Sequence, residues 1–262
     1  MKNKFLTILL GFLCAAVLYF GQSHWNQKIE AAPKKVSERI IDNQQKIPEE
    51  ELLGHASQWP AAAVEQFKEK LEGKQTFKVL FVGSPAIGSE QVGTFPIVRD
   101  KLLQTFEQKN MQVSLKTYQM TSTQFIASHK QDEIAAEQAD MIVLEPLIQL
   151  NNGEVLINKT LEDLTTLIQD IKAQNPKTTF IIQPSYPLYR AKIYPSQVES
   201  LRKFAEENHL TYLNHWTAWP DPNTDAFKEY LLPNMSAPSD KGYQVWSEYL
   251  INYFTNQKAD SE

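Results

Sequence analysis

Phe77-Lys78-Val79-Leu80-Phe81-Val82-Gly83-Ser84-Pro85-Ala86-Ile87-Gly88 is the most informative stretch of this chain. Its apolar run, Phe77 to Val82, has the length and composition of a buried parallel strand. It stops at a Gly-Ser-Pro that reads as a strand-to-helix turn. Outward from it the same alternation continues. A helix is predicted from about Phe95 to Gln108, with Val98, Leu102, Leu103 and Phe106 inward. Val113–Thr117 reads as a second strand, Thr123–Glu137 as a helix and Met141–Leu144 as a third strand. Leu161–Ala173 reads as helix, Thr179–Ile182 as the fourth strand, Pro195–Asn208 as helix and Leu210–Leu213 as a short fifth strand. The last helix runs from about Ser239 to Phe254. Upstream, Trp59-Pro60 opens a helix that Gly73 ends, with Val64, Phe67 and Leu71 on one face. Strict β/α alternation implies right-handed crossovers and helices on both faces of a parallel sheet. The expected fold is an α/β three-layer α/β/α sandwich with a five-stranded parallel sheet, occupying residues 57–256. Ligands of such folds bind at the carboxyl ends of the strands. That rule points to the loops after Val82, Thr117, Leu144 and Ile182, and to the loop before the last helix.

The chain has 262 residues, 42% of them hydrophobic and 22% charged, which suits one globular domain with extensions. A net charge of −5 and the lack of a basic stripe argue against nucleic acid as a partner. Lys2 and Lys4 precede an uninterrupted apolar run from Phe5 to Phe20. Residues 1–21 therefore read as a signal anchor, or alternatively a signal peptide cleaved for secretion, with the bulk of the chain outside the cytoplasm. Residues 22–56, polar and holding Pro33 and Pro48, read as a tether in which Pro48–His55 forms a short helix. Residues 257–262 form a C-terminal tail. The lone cysteine, Cys14, lies in the apolar run, so the exported part has no disulfide and no thiol nucleophile. That pattern suits a Gram-positive-type bacterial surface.

A second segment completes the picture. Asn234-Met235-Ser236-Ala237-Pro238-Ser239-Asp240-Lys241-Gly242-Tyr243 opens the last helix, about 150 residues after Ser84. Together the two segments resemble the first and last blocks of the SGNH/GDSL hydrolases, a flavodoxin-like superfamily of esterases and acyltransferases. The first block of that family reads Gly-Asp-Ser-Leu with a glycine four residues after the serine. Ser84 and Gly88 match it, and Gly83 stands at the aspartate. The resemblance implies that Ser84 is the nucleophile. Without it, Ser84 reads more readily as the cap of the following turn. The second block implies a backbone oxyanion donor near Ser122, although Thr121, Ser122 and Thr123 also suit helix caps. The third block implies an asparagine for the oxyanion hole. Gln149, Asn151 and Asn152 lie in that region, Asn151 is the candidate, and Asn152-Gly153 also reads as a plain turn. The last block, normally Asp-x-x-His-Pro, is matched by Pro238, Lys241, Gly242 and Trp246. Its two chemical positions are degenerate, with Asn234 at the aspartate and Ala237 at the histidine.

A serine hydroxyl needs an adjacent base to attack an ester at neutral pH. Two side chains are candidates for that base. Glu145 stands at the end of the third strand, where a carboxylate also suits a sugar hydroxyl or a lysine. His215 follows the fifth strand between Trp216 and Trp219, a setting that also suits a packed ring. The remaining histidines form no metal-ligand pair, and no phosphate-binding glycine loop is present, so neither metal nor cofactor is expected. Tyr186, Tyr189, Tyr194, Trp216, Trp219 and Tyr243 crowd the crevice loops, either as a stacking surface for sugar rings or as packing over the sheet. Two readings stand. One is a surface-anchored acyl esterase or acyltransferase acting on acylated carbohydrate or another ester. The other is a catalytically inactive descendant that binds glycan or a partner protein.

Overall fold

A computed structural model describes residues 47–256. The expected leader, the tail and most of the expected tether lie outside the described residues. Among the described residues no helix is long and apolar enough to cross a membrane.

Two helices lead into the sheet, α1 (Glu49–His55) and α2 (Ala61–Glu72). Then come β1 (Phe77–Gly83), α3 (Thr94–Phe106), β2 (Met111–Thr117), α4 (Ser122–Ala127), α5 (Lys130–Ala135) and β3 (Met141–Leu144). They are followed by α6 (Ile148–Asn151), α7 (Ile157–Gln174), β4 (Thr179–Ile182), α8 (Tyr194–Glu207), β5 (Thr211–Tyr212) and α9 (Asp240–Thr255). The five strands form one sheet in the order β2-β1-β3-β4-β5, every pair parallel. The alternation in the sequence predicts this architecture correctly.

The pleat sorts the strand side chains between two cores. Leu80 and Val82 of β1, Ile142 and Leu144 of β3 and Phe180 and Ile182 of β4 face the layer of α4, α5, α7 and α8. Phe77 and Phe81 face the opposite layer. There Phe77 stacks on Trp59, and Phe81 meets Phe95 and Phe254 edge-on. Both faces of β1 and β3 are buried, which is why their runs are continuously apolar rather than alternating. In register, Gly83 lies opposite Thr117, and Val82 lies opposite Leu144. The residue after Leu144, Glu145, is thereby delivered beside Gly83 and Ser84.

Local departures from the expected elements have physical causes. The helix expected over Thr123–Glu137 breaks in two because His129 adopts a left-handed conformation, φ 52°. The plain turn expected around Asn152 is preceded by one helical turn, α6. At the amino end, the compact unit begins at Pro48, ahead of the boundary expected at 57. Leu52 and Ala56 are buried, and His55 Nδ1 lies 3.0 Å from the carbonyl of Thr255, so α1 is packed structure rather than spacer.

Candidate functional site

Ser84 sits at the carboxyl end of β1, where the topology brings strand ends together. It is 1% exposed. Its Oγ accepts the amide of Ala86 at 3.3 Å and caps the 3₁₀ turn Pro85–Ile87. The loop that follows is pinched shut by two glycines. Gly88 and Gly93 have φ of 109° and 111°, and a Cβ on Gly88 would stand 2.3 Å from the carbonyl of Val92. The glycine four residues after the serine is thus required by this close approach of backbone to backbone.

Glu145 reaches Ser84 from β3. It is fully buried, and its Oε2 accepts the Ser84 N–H at 2.6 Å. Burial pushes the Glu145 carboxyl above the ordinary carboxylate range, opposed by the hydroxyl and amide of Ser84 and the amide of Leu147. Its other oxygen, Oε1, has no hydrogen-bond partner among the described residues. Beside it, Val82, Tyr118, Phe125, Leu144 and Leu164 line an apolar cavity of about 20 Å³. A cavity of that size holds a water molecule and no substrate.

The two expected oxyanion groups meet one another. The Ser122 N–H donates to Asn151 Oδ1 at 2.8 Å, and Asn151 Nδ2 donates to Ser122 Oγ and Thr160 Oγ1, each at 2.8 Å. An N–H can only donate, so the amide oxygen of Asn151 must face the Ser122 N–H, which leaves its two N–H groups for the hydroxyls of Ser122 and Thr160. Ser122 Oγ and Thr123 Oγ1 then donate to Asp163 Oδ2, and Lys159 pairs with Asp163 Oδ1 at 2.6 Å. The helix cap here is Thr121, which forms a capping box with Gln124. Asp163 and Thr160 were not singled out from the sequence. The available signal was polar residues on the inward stripe of α7, alongside Leu164, Leu167 and Ile171.

His215 stands apart from this cluster. Trp219 Nε1 donates to its Nδ1 at 3.0 Å, so its Nε2 carries the proton and donates to the Pro184 carbonyl at 2.9 Å. The ring stacks on Trp246 at 4.6 Å and is fully buried, which pulls its pKa down to about 3. With both nitrogens engaged it has no lone pair free to take a proton. Asn234 is exposed and closes a turn on itself, accepting from the amide and hydroxyl of Ser236. Ala237 is held by the Leu232 N–H on its carbonyl, and it presents only a methyl group. Of the crevice aromatics, Tyr186, Tyr194 and Trp219 are buried, so these three pack over the sheet. The Tyr186 hydroxyl donates to the Ser236 carbonyl and ties down the loop that carries Ala237.

No family model and no curated protein matches this sequence. Solved structures do. A GDSL-like lipase of Parabacteroides merdae superposes with a TM-score of 0.59 at 14% identity, over 70% of this chain and 98% of its own. A lipolytic protein of the G-D-S-L family from Desulfitobacterium hafniense gives 0.54 at 17% identity, over 68% and 99%. An acetylxylan esterase of Geobacillus stearothermophilus gives 0.55 at 14% identity, over 71% and 97%. These identities speak for shape, and the shape agrees with the blocks around Ser84 and Pro238. The chain is related by fold to the SGNH/GDSL hydrolases.

Proposed function

We propose that this chain is a non-hydrolysing member of the SGNH/GDSL fold that acts by binding carbohydrate outside the cytoplasm. The observation that carries the reading is the closure of its polar groups. The amide of Ser84 is bonded to Glu145, the amide of Ser122 to Asn151, and both nitrogens of His215 to neighbours. An oxyanion hole works through donors left free for the developing charge. Here each such donor already has an internal acceptor, and Ala237 supplies no imidazole.

Carbohydrate as the ligand is supported by the neighbouring acetylxylan esterase and by a second region of the surface. Two adjoining grooves of about 380 and 410 Å³ open at the amino ends of the strands and share Gln66, Glu69 and Lys177. Asp140, 4% exposed, accepts from Gln66 at 2.6 Å and pairs with Lys70 at 3.3 Å, presenting both to the groove. Amide and charged groups on such a surface suit sugar hydroxyls. Anchoring to the membrane through residues 1–21 rests on Lys2 and Lys4 preceding the apolar run 5–20.

A second reading keeps Ser84 as the nucleophile of an acylated-carbohydrate esterase with Glu145 as its base. The contact between the two residues favours it. The test is to incubate the protein with p-nitrophenyl acetate and with a fluorophosphonate probe. The expected result is no turnover and no labelling. Labelling that disappears in Ser84→Ala would overturn the proposal in favour of the esterase.

A further inference from the structure

Gly83 ends β1 and Glu145 directly follows β3, 62 positions apart in the sequence. A Cβ built on Gly83 would lie 2.9 Å from both the Cβ and the Oε2 of Glu145. Real Cβ atoms do not approach neighbours so closely. The carboxyl therefore occupies the space that any side chain at position 83 would take. From that space its Oε2 accepts the amide of Ser84 at 2.6 Å. The strand register enforces the approach, since the Glu145 N–H itself donates to the Val82 carbonyl at 2.8 Å. On the other side, Leu147 closes a tight turn onto the Glu145 carbonyl at 2.9 Å with a left-handed φ of 60°. A buried leucine in that region is strained backbone, which persists only where its surroundings hold it.

We propose that Glu145 is an internal ligand of the Ser84 amide. Its carboxyl takes the N–H that an ester oxygen would need, and the missing side chain at Gly83 is what admits it. Glu145 is thus a positioning residue that holds the serine turn shut, and positions 83 and 145 are coupled. In the block that this stretch resembles, the carboxyl precedes the serine on its own strand. Here glycine stands there, and a carboxyl comes from the neighbouring strand. The inference stands apart from the question of turnover, because a hydrolytic Ser84 would still require Glu145 to release its amide.

The ionisable groups around Glu145 are Tyr186 after β4, Tyr194 on α8, Tyr118 after β2 and Asp163 on α7. The tyrosines keep their protons throughout the carboxylate range, and Asp163 is paired with Lys159. Comparison with Glu145→Gln then assigns a titration felt at the Ser84 amide to Glu145 or to another group. The test uses the full chain labelled with 15N-serine, the Ser84 resonance being identified by its loss in Ser84→Ala. In the unsubstituted protein the Ser84 amide proton is expected downfield and moving with one carboxyl titration. Glu145→Gln keeps an acceptor but cannot ionise, so the resonance should stay downfield and lose its pH dependence. Glu145→Ala should move it upfield. Gly83→Ala should lower the unfolding temperature, and at least half of that loss should vanish in Gly83→Ala/Glu145→Gly, which removes both the Cβ and the carboxyl from the contact. A Ser84 amide that titrates identically in Glu145→Gln would overturn the proposal, as would an equal Gly83→Ala loss in both backgrounds. Should Glu145→Ala fail to fold, the comparison of Glu145→Gln with the unsubstituted chain still decides.

Discussion

His215 shows how a residue chosen for its chemistry becomes a piece of the core. Its neutral form is required twice, once to accept from Trp219 and once because no countercharge accompanies it into the interior. The folded pKa of about 3 lies below the ordinary 6.5. Between those values the unfolded chain binds a proton that the folded chain refuses. Stability must therefore fall as pH drops from about 6.5 toward 3, by up to about 1.4 kcal/mol per pH unit from this group. Glu145 contributes with the opposite sign. Its raised pKa favours the folded state below the ordinary value of 4.5, and that advantage is lost as pH rises above it. In urea unfolding between pH 7 and pH 4, His215→Phe should be less stable at neutral pH, because Trp219 and Pro184 lose their partner. It should also lack the His215 share of the acid slope. An acid slope equal to that of the unsubstituted protein would show that the imidazole is already protonated, or reachable by solvent, in the fold.

At the scale of elements, the loop after β3 and the start of α4 act as one unit. α6 is a single turn of four residues, too short to stand by itself. It is held by Asn151, whose amide bonds Ser122 at the start of α4 and Thr160 on α7. Asp163 extends the link to Ser122, Thr123 and Lys159. Every member of such a network is satisfied only while the others are present. Asn151→Ala strands the buried N–H of Ser122, so a loss of about 2–3 kcal/mol is expected in chemical denaturation. If these groups instead served an open oxyanion hole, the same substitution would barely change stability and would abolish esterase activity.

At the scale of the molecule, the two ends of the described chain are bound to each other. Trp59 Nε1 donates to the Phe254 carbonyl at 2.8 Å, and Gln58 Nε2 donates to Asn256 Oδ1 at 2.7 Å. Trp59 also anchors a cluster with Phe67, Phe77 and Phe106 beneath the sheet. α1 is the outermost part of this junction, and its one buried side chain is Leu52. A spacer residue could be truncated without consequence. Leu52→Ala is instead expected to cost about 2–4 kcal/mol by thermal or urea unfolding, and a null effect would restore α1 to the tether.

The order of strands and helices was legible because burial on both faces of a parallel sheet writes itself as short apolar runs, and Phe77–Val82 and Met141–Leu144 are such runs. That Ser84, Ser122 and Glu145 lie along one rim followed from topology, which sends the carboxyl ends of parallel strands to the same side. The degenerate positions Asn234 and Ala237 were visible by residue identity alone. What remained hidden were partnerships across long separations. That Glu145 would take the amide of Ser84, that Asn151 would turn its oxygen to Ser122, and that His215 would spend both nitrogens inside the core depend on rotamers and on backbone approach. Sequence spacing by itself specifies neither. Only packing in three dimensions decided that the side chains suited to chemistry bond to one another, because a buried polar group must find a partner and the nearest ones here belong to the protein itself.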